Sequence, residues 1–263
     1  LDPRLTYKRT GPASYVDEYG IVKLVAYNVP RFDHDPITGE CKGLLIEPSR
    51  TNLIKWSTKL GDGAAYDNDI SNQGWGANNV TVTISESVVG PDGKTGGVWE
   101  VKENSANNYH AIWHQAQIPL TSGTKYFITS WVKKGPNYNT SANSNGYFQF
   151  YCSRGTGSVA SVTLNNTFTA VQAHTNTDSR SIIQYPNGWI KVTYSFTANA
   201  SNTGTATPHW LHGGAGSYTG NGASSVYIWG CQMEAGNFAT SHIPTDGITR
   251  SRGSDLAYLD GTT

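Results

Sequence analysis

The sequence predicts an all-β protein, an antiparallel jelly-roll sandwich with extended arms at both ends, and three observations support that prediction. Apolar and polar residues alternate with period two along much of the chain. No window of a dozen residues carries a capped stripe at i, i+3, i+4 and i+7, so any helix is expected to be a single short turn and parallel βαβ architecture is excluded. Clusters of Gly, Asn, Pro and Ser bound the alternating segments, and their uneven spacing argues against a regular propeller.

Taken in order, residues 1–50 read as an extended N-terminal arm. Tyr15 to Val29 alternates weakly, and Pro30, Pro36, Gly39 and Gly43 then punctuate a run ending at Leu44, Leu45 and Ile46. Such a segment buries little apolar surface alone, so it is expected to pack on the sandwich or on neighbouring copies of the chain. Residues 51–248 form the sandwich. Val80, Val82 and Ile84 alternate with Thr81, Thr83 and Ser85, and Ile190, Val192, Tyr194 and Phe196 with Lys191, Thr193 and Ser195. Further strands are expected over Gly97–Val101, Tyr109–Ile118, Tyr126–Lys133, Tyr147–Cys152, Ser158–Leu164, Ser181–Tyr185 and Ser225–Met233. Residues 249–263 read as an exit arm. The first residue is Leu1 rather than Met, so residues upstream are expected to have been lost or omitted.

Composition narrows the partners. Lys plus Arg and Asp plus Glu both number 19, with neither sign concentrated, so no nucleic acid is expected to bind. Apolar runs are only a few residues long, far from the roughly 20 that cross a bilayer, so no membrane insertion is expected. Charged residues make up only 14% while Gly, Asn, Ser and Thr abound, a surface chemistry common in secreted and virion β-proteins. Cys41, Cys152 and Cys231 lie too far apart for CxxC zinc spacing, and all three are expected to be buried thiols.

Titratable residues form no convincing active site. His110 and His114 on one strand face would lie some 13 Å apart, four steps of about 3.3 Å, too far to share a zinc ion. His209 and His212 flank Trp210 before Gly213 and Gly214, where a structural role at a turn end is expected. Asp33 and Asp35 face the same way in an extended segment and superficially resemble a glycosidase pair, but arm residues bonded to neighbouring backbone is the expected reading. No GxSxG elbow occurs. No cofactor is expected. The oxygen-rich stretch of Asp62, Asp67, Asn68, Asp69, Ser71 and Asn72 supplies calcium-type ligands without EF-hand spacing, and an ordinary solvated loop is expected there.

Aromatics say more. The chain has 8 Trp and 15 Tyr against 7 Phe, and Tyr and Trp join an apolar face to a polar tip, which suits wet contacts and sugar stacking. Trp113 alternates with Tyr109 on a face carrying Gln115 and Gln117, while Trp75 sits between Gly74 and Gly76 in an expected loop. These five are the candidate ligand contacts. The competing expectation is that Trp113 belongs to the core and only Trp75 is exposed. Trp99, Trp131 and Trp229 lie in well-patterned strands and are expected to be buried.

Three ordered segments resemble a family. Val29-Pro30-Arg31-Phe32-Asp33-His34-Asp35-Pro36, followed by Gly43-Leu44-Leu45-Ile46-Glu47-Pro48-Ser49-Arg50-Thr51-Asn52-Leu53, resembles a signature of bacteriophage tail-fibre and other virion proteins. Tyr185-Pro186-Asn187-Gly188-Trp189 through Phe196-Thr197-Ala198 matches in type and order. Val226 through Gly236, then Phe238-Ala239-Thr240-Ser241 and Ile243-Pro244-Thr245, is similar to the closing strand and tail of that family's jelly-roll module, with His242 standing where Tyr is usual. The resemblance covers residues 15–255. It implies a trimeric or otherwise oligomeric virion appendage, a tail fibre, head fibre or decoration subunit, with contact to host surface polysaccharide and to other virion proteins, and it implies no catalysis. The alternative is a carbohydrate-binding module of a secreted polysaccharide-degrading enzyme. A third class, a lyase or hydrolase on a jelly-roll core, would need Tyr, His, Arg or carboxylates clustered in a groove.

Overall fold

The structure, a computed structural model, describes residues 4–58, 74–138, 148–200, 202–206, 208–212 and 217–259. Two six-stranded antiparallel sheets pack face to face. The front sheet runs in the order Val171–Thr175, Ser158–Leu164, Phe148–Gly155, His209–His212, His110–His114, Trp75–Asn78. The back sheet runs Ser179–Gln184, Ile190–Thr197, Lys125–Lys134, Ser225–Ala235, Val98–Glu103, Val80–Ser85. Among the described residues the only helical segment is the single 3-10 turn Pro186–Gly188. The all-β sandwich is therefore the fold class that the alternation predicts.

Alternation sets which side chains meet between the sheets. Ile128, Val132, Val192, Tyr194, Phe196 and Ile228 from the back face Ile112, Phe148, Phe150, Val162, Leu164 and Trp210 from the front in one buried cluster. Because the side-chain period is two, a single extra residue would turn half a strand inside out. Ser225–Ala235 contains such a residue and stays in phase. Its pairing with Lys125–Lys134 jumps between Thr129↔Gln232 and Trp131↔Trp229, so Gly230 and Cys231 lie opposite Ser130 alone. Gly230 takes φ +59 there, and a Cβ on it would sit 3.0 Å from the Trp131 ring. The bulge lets Ile228 and Met233 both point into the core. At the sheet edge the pattern weakens: in Val80–Ser85, Val82 is buried but Ile84 is 45% exposed.

The terminal segments cover the outer face of the back sheet. Hairpins Ala13–Val16 with Val22–Val25, and Phe32–His34 with Cys41–Leu44, lie in the first fifty residues. Val22 and Val16 pack onto a second buried cluster of Val98, Trp131, Tyr185, Trp189, Tyr227 and Trp229. The two ends of the chain also pair with each other, Leu5–Lys8 with Leu256–Leu259 and Arg50–Asn52 with Arg250–Arg252.

A buried polar clasp fastens these segments. Arg31 donates to Glu47 at 2.8 Å and also to Asp255, Arg252 meets Glu47 at 2.9 Å, and Arg9 and the Tyr7 hydroxyl reach Asp255. The five charged partners of the clasp, Arg9, Arg31, Glu47, Arg252 and Asp255, are nearly solvent-free. Burial alone would raise the Asp255 pKa, but hydrogen bonds from Tyr7 and the Glu47 N–H and the charge of Arg31 hold it below the usual carboxylate value. Asn52 continues the network, donating to the carbonyls of Cys231 and Ile243 and accepting from the N–H groups of Ile54 and Met233. Glu234 accepts from Thr240 N–H and O–H, and the Glu47 carboxylate from Ser241 N–H and O–H.

One expectation is corrected here. Cys152 and Cys231 are buried thiols, but Cys41 is exposed, because its strand belongs to a two-stranded hairpin with no second layer above it. Burial pushes the Cys231 thiol up to about 12 and Cys152 further still.

Candidate functional site

The outer face of the front sheet is the patterned face that the terminal segments leave uncovered, and its residues follow from strand parity. Ile112, His110 and His114 point inward, so Ala111 and Trp113 point out. Phe148, Phe150 and Cys152 point inward, which puts Gln149, Tyr151 and Ser153 outside, all half-buried. In register across the sheet, Gly76 lies opposite Trp113, Trp113 opposite His209, His209 opposite Tyr151, and Tyr151 opposite Ser161. Trp113 and Tyr151 stand two strands apart, roughly 10 Å at about 4.8 Å per strand.

Gly76 determines how Trp113 lies. A Cβ built on Gly76 would come within 2.4 Å of Cε2 and 2.5 Å of Cζ2 of the indole, so the ring rests across the edge strand in the space a side chain would fill. Beside it Gln149 donates to the Thr163 hydroxyl at 3.2 Å, and burial beside Cys152 raises the Tyr151 pKa, keeping the phenol protonated. Trp113, Tyr151, Gln149, Ser153, Ser161 and Thr163 make a face of two aromatic rings among uncharged amides and hydroxyls. Such a face can stack apolar ring faces and exchange hydrogen bonds.

The five candidates do not stay together. Trp113 is half-buried on the open face, Tyr109 is 40% exposed just before the same strand, and Gln117 is exposed beyond its end. Trp75 is corrected: it lies in a strand, not a loop, fully buried, with its indole N–H donated to the Trp56 carbonyl at 3.0 Å and its ring against Trp210. Gln115 is also corrected, since it is only 7% exposed where the chain leaves the strand toward Gly74. Tyr151 and Gln149 escaped the sequence reading, although their alternation with Phe148, Phe150 and Cys152 carries the signal.

His114, Asp33 and Asp35 have local partners. His114 donates from Nδ1 to the Ala116 carbonyl at 2.8 Å and accepts the Lys55 N–H at Nε2, and burial lowers its pKa to about 4. Asp33 accepts the Val16 N–H at 2.8 Å, and Asp35 accepts from Ile37 and Thr38, which holds its pKa down at about 2. Among the described residues no group of three His, Cys, Asp or Glu is arranged to hold a metal ion. Asp62, Asp67 and Asp69 lie outside the described residues, as do Asn68, Ser71 and Asn72.

No protein-family model matches this chain. No curated protein matches either. Among solved structures, several are similar to this chain. The CBM22-1 xylan-binding domain of Paenibacillus barcinonensis Xyn10C is 12% identical over 72% of this chain and 94% of its own, with a TM-score of 0.36. The carbohydrate esterase vb_24B_21 of the Shiga toxin-encoding bacteriophage phi24B is 10% identical over 71% and 97%, at 0.36. A structure of carbohydrate-binding modules of the beta-sandwich superfamily is 11% identical over 81% and 77%, at 0.34. Likeness this loose carries no residue role and no ligand across to this chain.

Proposed function

We propose that this chain is a non-enzymatic structural subunit of a bacteriophage particle, a tail fibre, head fibre or decoration protein, that contacts host surface polysaccharide through the front face. The observation that supports the reading most is the contrast between the two outer faces: the back one is closed by the clasped termini, while the front one presents Trp113 and Tyr151 among uncharged hydrogen-bonding side chains. Neutral glycans are recognised by that pairing of ring stacking with amide and hydroxyl contacts. The particle itself is supported by the motif segments, the first and last of which supply Arg31 and Glu47 to the clasp and Asn52, Glu234 and Thr240 to the network that continues it. Exposed Leu24, Tyr27, Val29, Phe32, Ile46, Phe238, Leu256 and Leu259 sit on the terminal segments, which suits assembly with copies of this chain, most simply a trimer, and with other virion proteins.

The test is a glycan-array measurement on the wild-type oligomer and on Trp113→Ala. The expected loss is roughly 1 to 3 kcal/mol of binding with the fold intact. No glycan signal from the wild type would leave a purely structural subunit. The front face equally favours a second reading, a carbohydrate-binding module of a secreted polysaccharide-degrading enzyme, and oligomeric state separates the two: light scattering that finds a monomer retaining glycan selects the module.

A further inference from the structure

A cavity of 230 Å³ lies under the terminal segments, walled by Trp131, Tyr185 and Lys191 of the back sheet side and by Asp33, Ser241 and His242 of the cover. Exposed Lys42 and Ile183 mark its mouth. Its volume is far more than one water needs and below the roughly 300 Å³ at which drug-sized pockets begin, so it suits a molecule the size of one sugar ring or smaller.

Two of its polar groups lack partners that the rest of the lining has. Among the described residues Lys191 makes no ion pair, although the charges of Glu47, Asp33 and Glu234 reach it at longer range, and its ammonium sits over the Trp131 ring, 5.1 Å from the centroid. The other charges are engaged: Glu47 with Arg31 and Arg252, Lys42 with Asp35 at 3.3 Å, and Asp33 with the Val16 N–H. His242 is 2% exposed, held between Trp131 and Trp229, and neither ring nitrogen has a hydrogen-bond partner. Leaving both nitrogens of a buried imidazole unpaired forfeits their hydration with nothing in return, so a partner in the cavity is favoured. A neutral imidazole offers one donor and one acceptor, which matches a hydroxyl, and a lone ammonium matches a single negative charge. Phosphate is poorly served, because among the described residues no Arg fork or helix N-terminus lines the space.

We propose that this cavity is a binding site for a small carboxylate, free or carried on an acidic sugar unit, with the carboxylate on Lys191 and an adjacent hydroxyl on His242. The site is separate from the front face and does not depend on it. The experiment titrates the full chain with sodium glucuronate, glucose, acetate and phosphate, following the Lys191 ζ and His242 ring resonances by NMR and affinity by calorimetry. Glucuronate is expected to move both resonances and to bind at least several-fold more tightly than glucose or phosphate. Lys191→Gln should lower its affinity about tenfold, the loss of one charge-assisted hydrogen bond, while Trp113→Ala leaves it unchanged. Acetate binding as tightly as glucuronate assigns a free small carboxylate, and weaker acetate binding assigns the acidic sugar. The proposal is overturned if neither resonance moves with any carboxylate, as for a cavity that holds only water, or if glucose binds as well as glucuronate. The wild-type resonances decide the matter even where Lys191→Gln fails to fold.

Discussion

Trp113 and Trp131 occupy equivalent places on opposite sheets. Each is an outward-pointing indole on an interior strand, next to an inward-pointing isoleucine or valine, yet Trp131 is 2% exposed and Trp113 only half-buried. Strand pattern treats them alike. What separates them is the third layer: Val22, Tyr185 and His242 lie against Trp131, whereas Trp113 has a glycine opposite it and, among the described residues, no terminal segment above it. An outward aromatic in a sandwich is therefore core or contact according to what the rest of the chain lays over its sheet.

The largest effects should come from uncovering the back face. Glu47→Ala leaves Arg252 buried without its carboxylate and Arg31 with Asp255 alone, and urea denaturation should show a loss of about 3 to 5 kcal/mol. Trp131→Ala should cost a similar ~3 to 5 kcal/mol as a core truncation, against about 1 kcal/mol or less for Trp113→Ala. Equal losses for the two tryptophans would erase the distinction between the faces.

Acid should weaken the fold through its buried histidines. Burial lowers His114 to about 4 and His242 to about 3, so the folded chain stays neutral there while the unfolded chain binds protons below about 6.5. Their contribution is intact above that value and is lost as the pH falls toward 4, at up to ~1.4 kcal/mol per pH unit for each histidine. His242→Phe should flatten that slope in a pH series of denaturation curves, and an unchanged slope would mean that the imidazole is hydrated.

Smaller effects sharpen the picture of the front face and of the hairpins. Gly76→Ala must push the Trp113 indole off its strand, so glycan affinity should fall while the denaturation midpoint moves little. With a thiol reagent, Cys41 should react in the native protein, and Cys152 and Cys231 only after unfolding.

Much of the sandwich was legible because period two is enforced wherever one side of a strand is buried: Val80–Ser85 and Ser158–Leu164 match the expected bounds, and Ser225–Ala235 needed only its last turn of alternation. Trp75–Asn78 was not, since a tryptophan between Gly74 and Gly76 reads as a loop, and its strand character comes from pairing with His110–His114. The clasp was hidden for a related reason. Glu47 and Asp255, or Asn52 and Cys231, are some two hundred residues apart, and no local pattern tells a buried carboxylate from a solvated one. The front face was half legible: Trp113 and Tyr109 stood out by residue type, while Tyr151 and Gln149 required knowing that Phe148–Gly155 lies in the same sheet.

The eight tryptophans make the contrast between faces directly measurable, since each indole N–H is a separate NMR reporter. Trp75 and Trp189 donate theirs to the carbonyls of Trp56 and Val89, and Trp99, Trp210 and Trp229 are buried. Titrating the protein with neutral oligosaccharides from the host surface should move the Trp113 indole resonance and leave those five in place. Movement of Trp189 or Trp229 with a silent Trp113 would contradict the account, placing the contact on the covered side of the molecule.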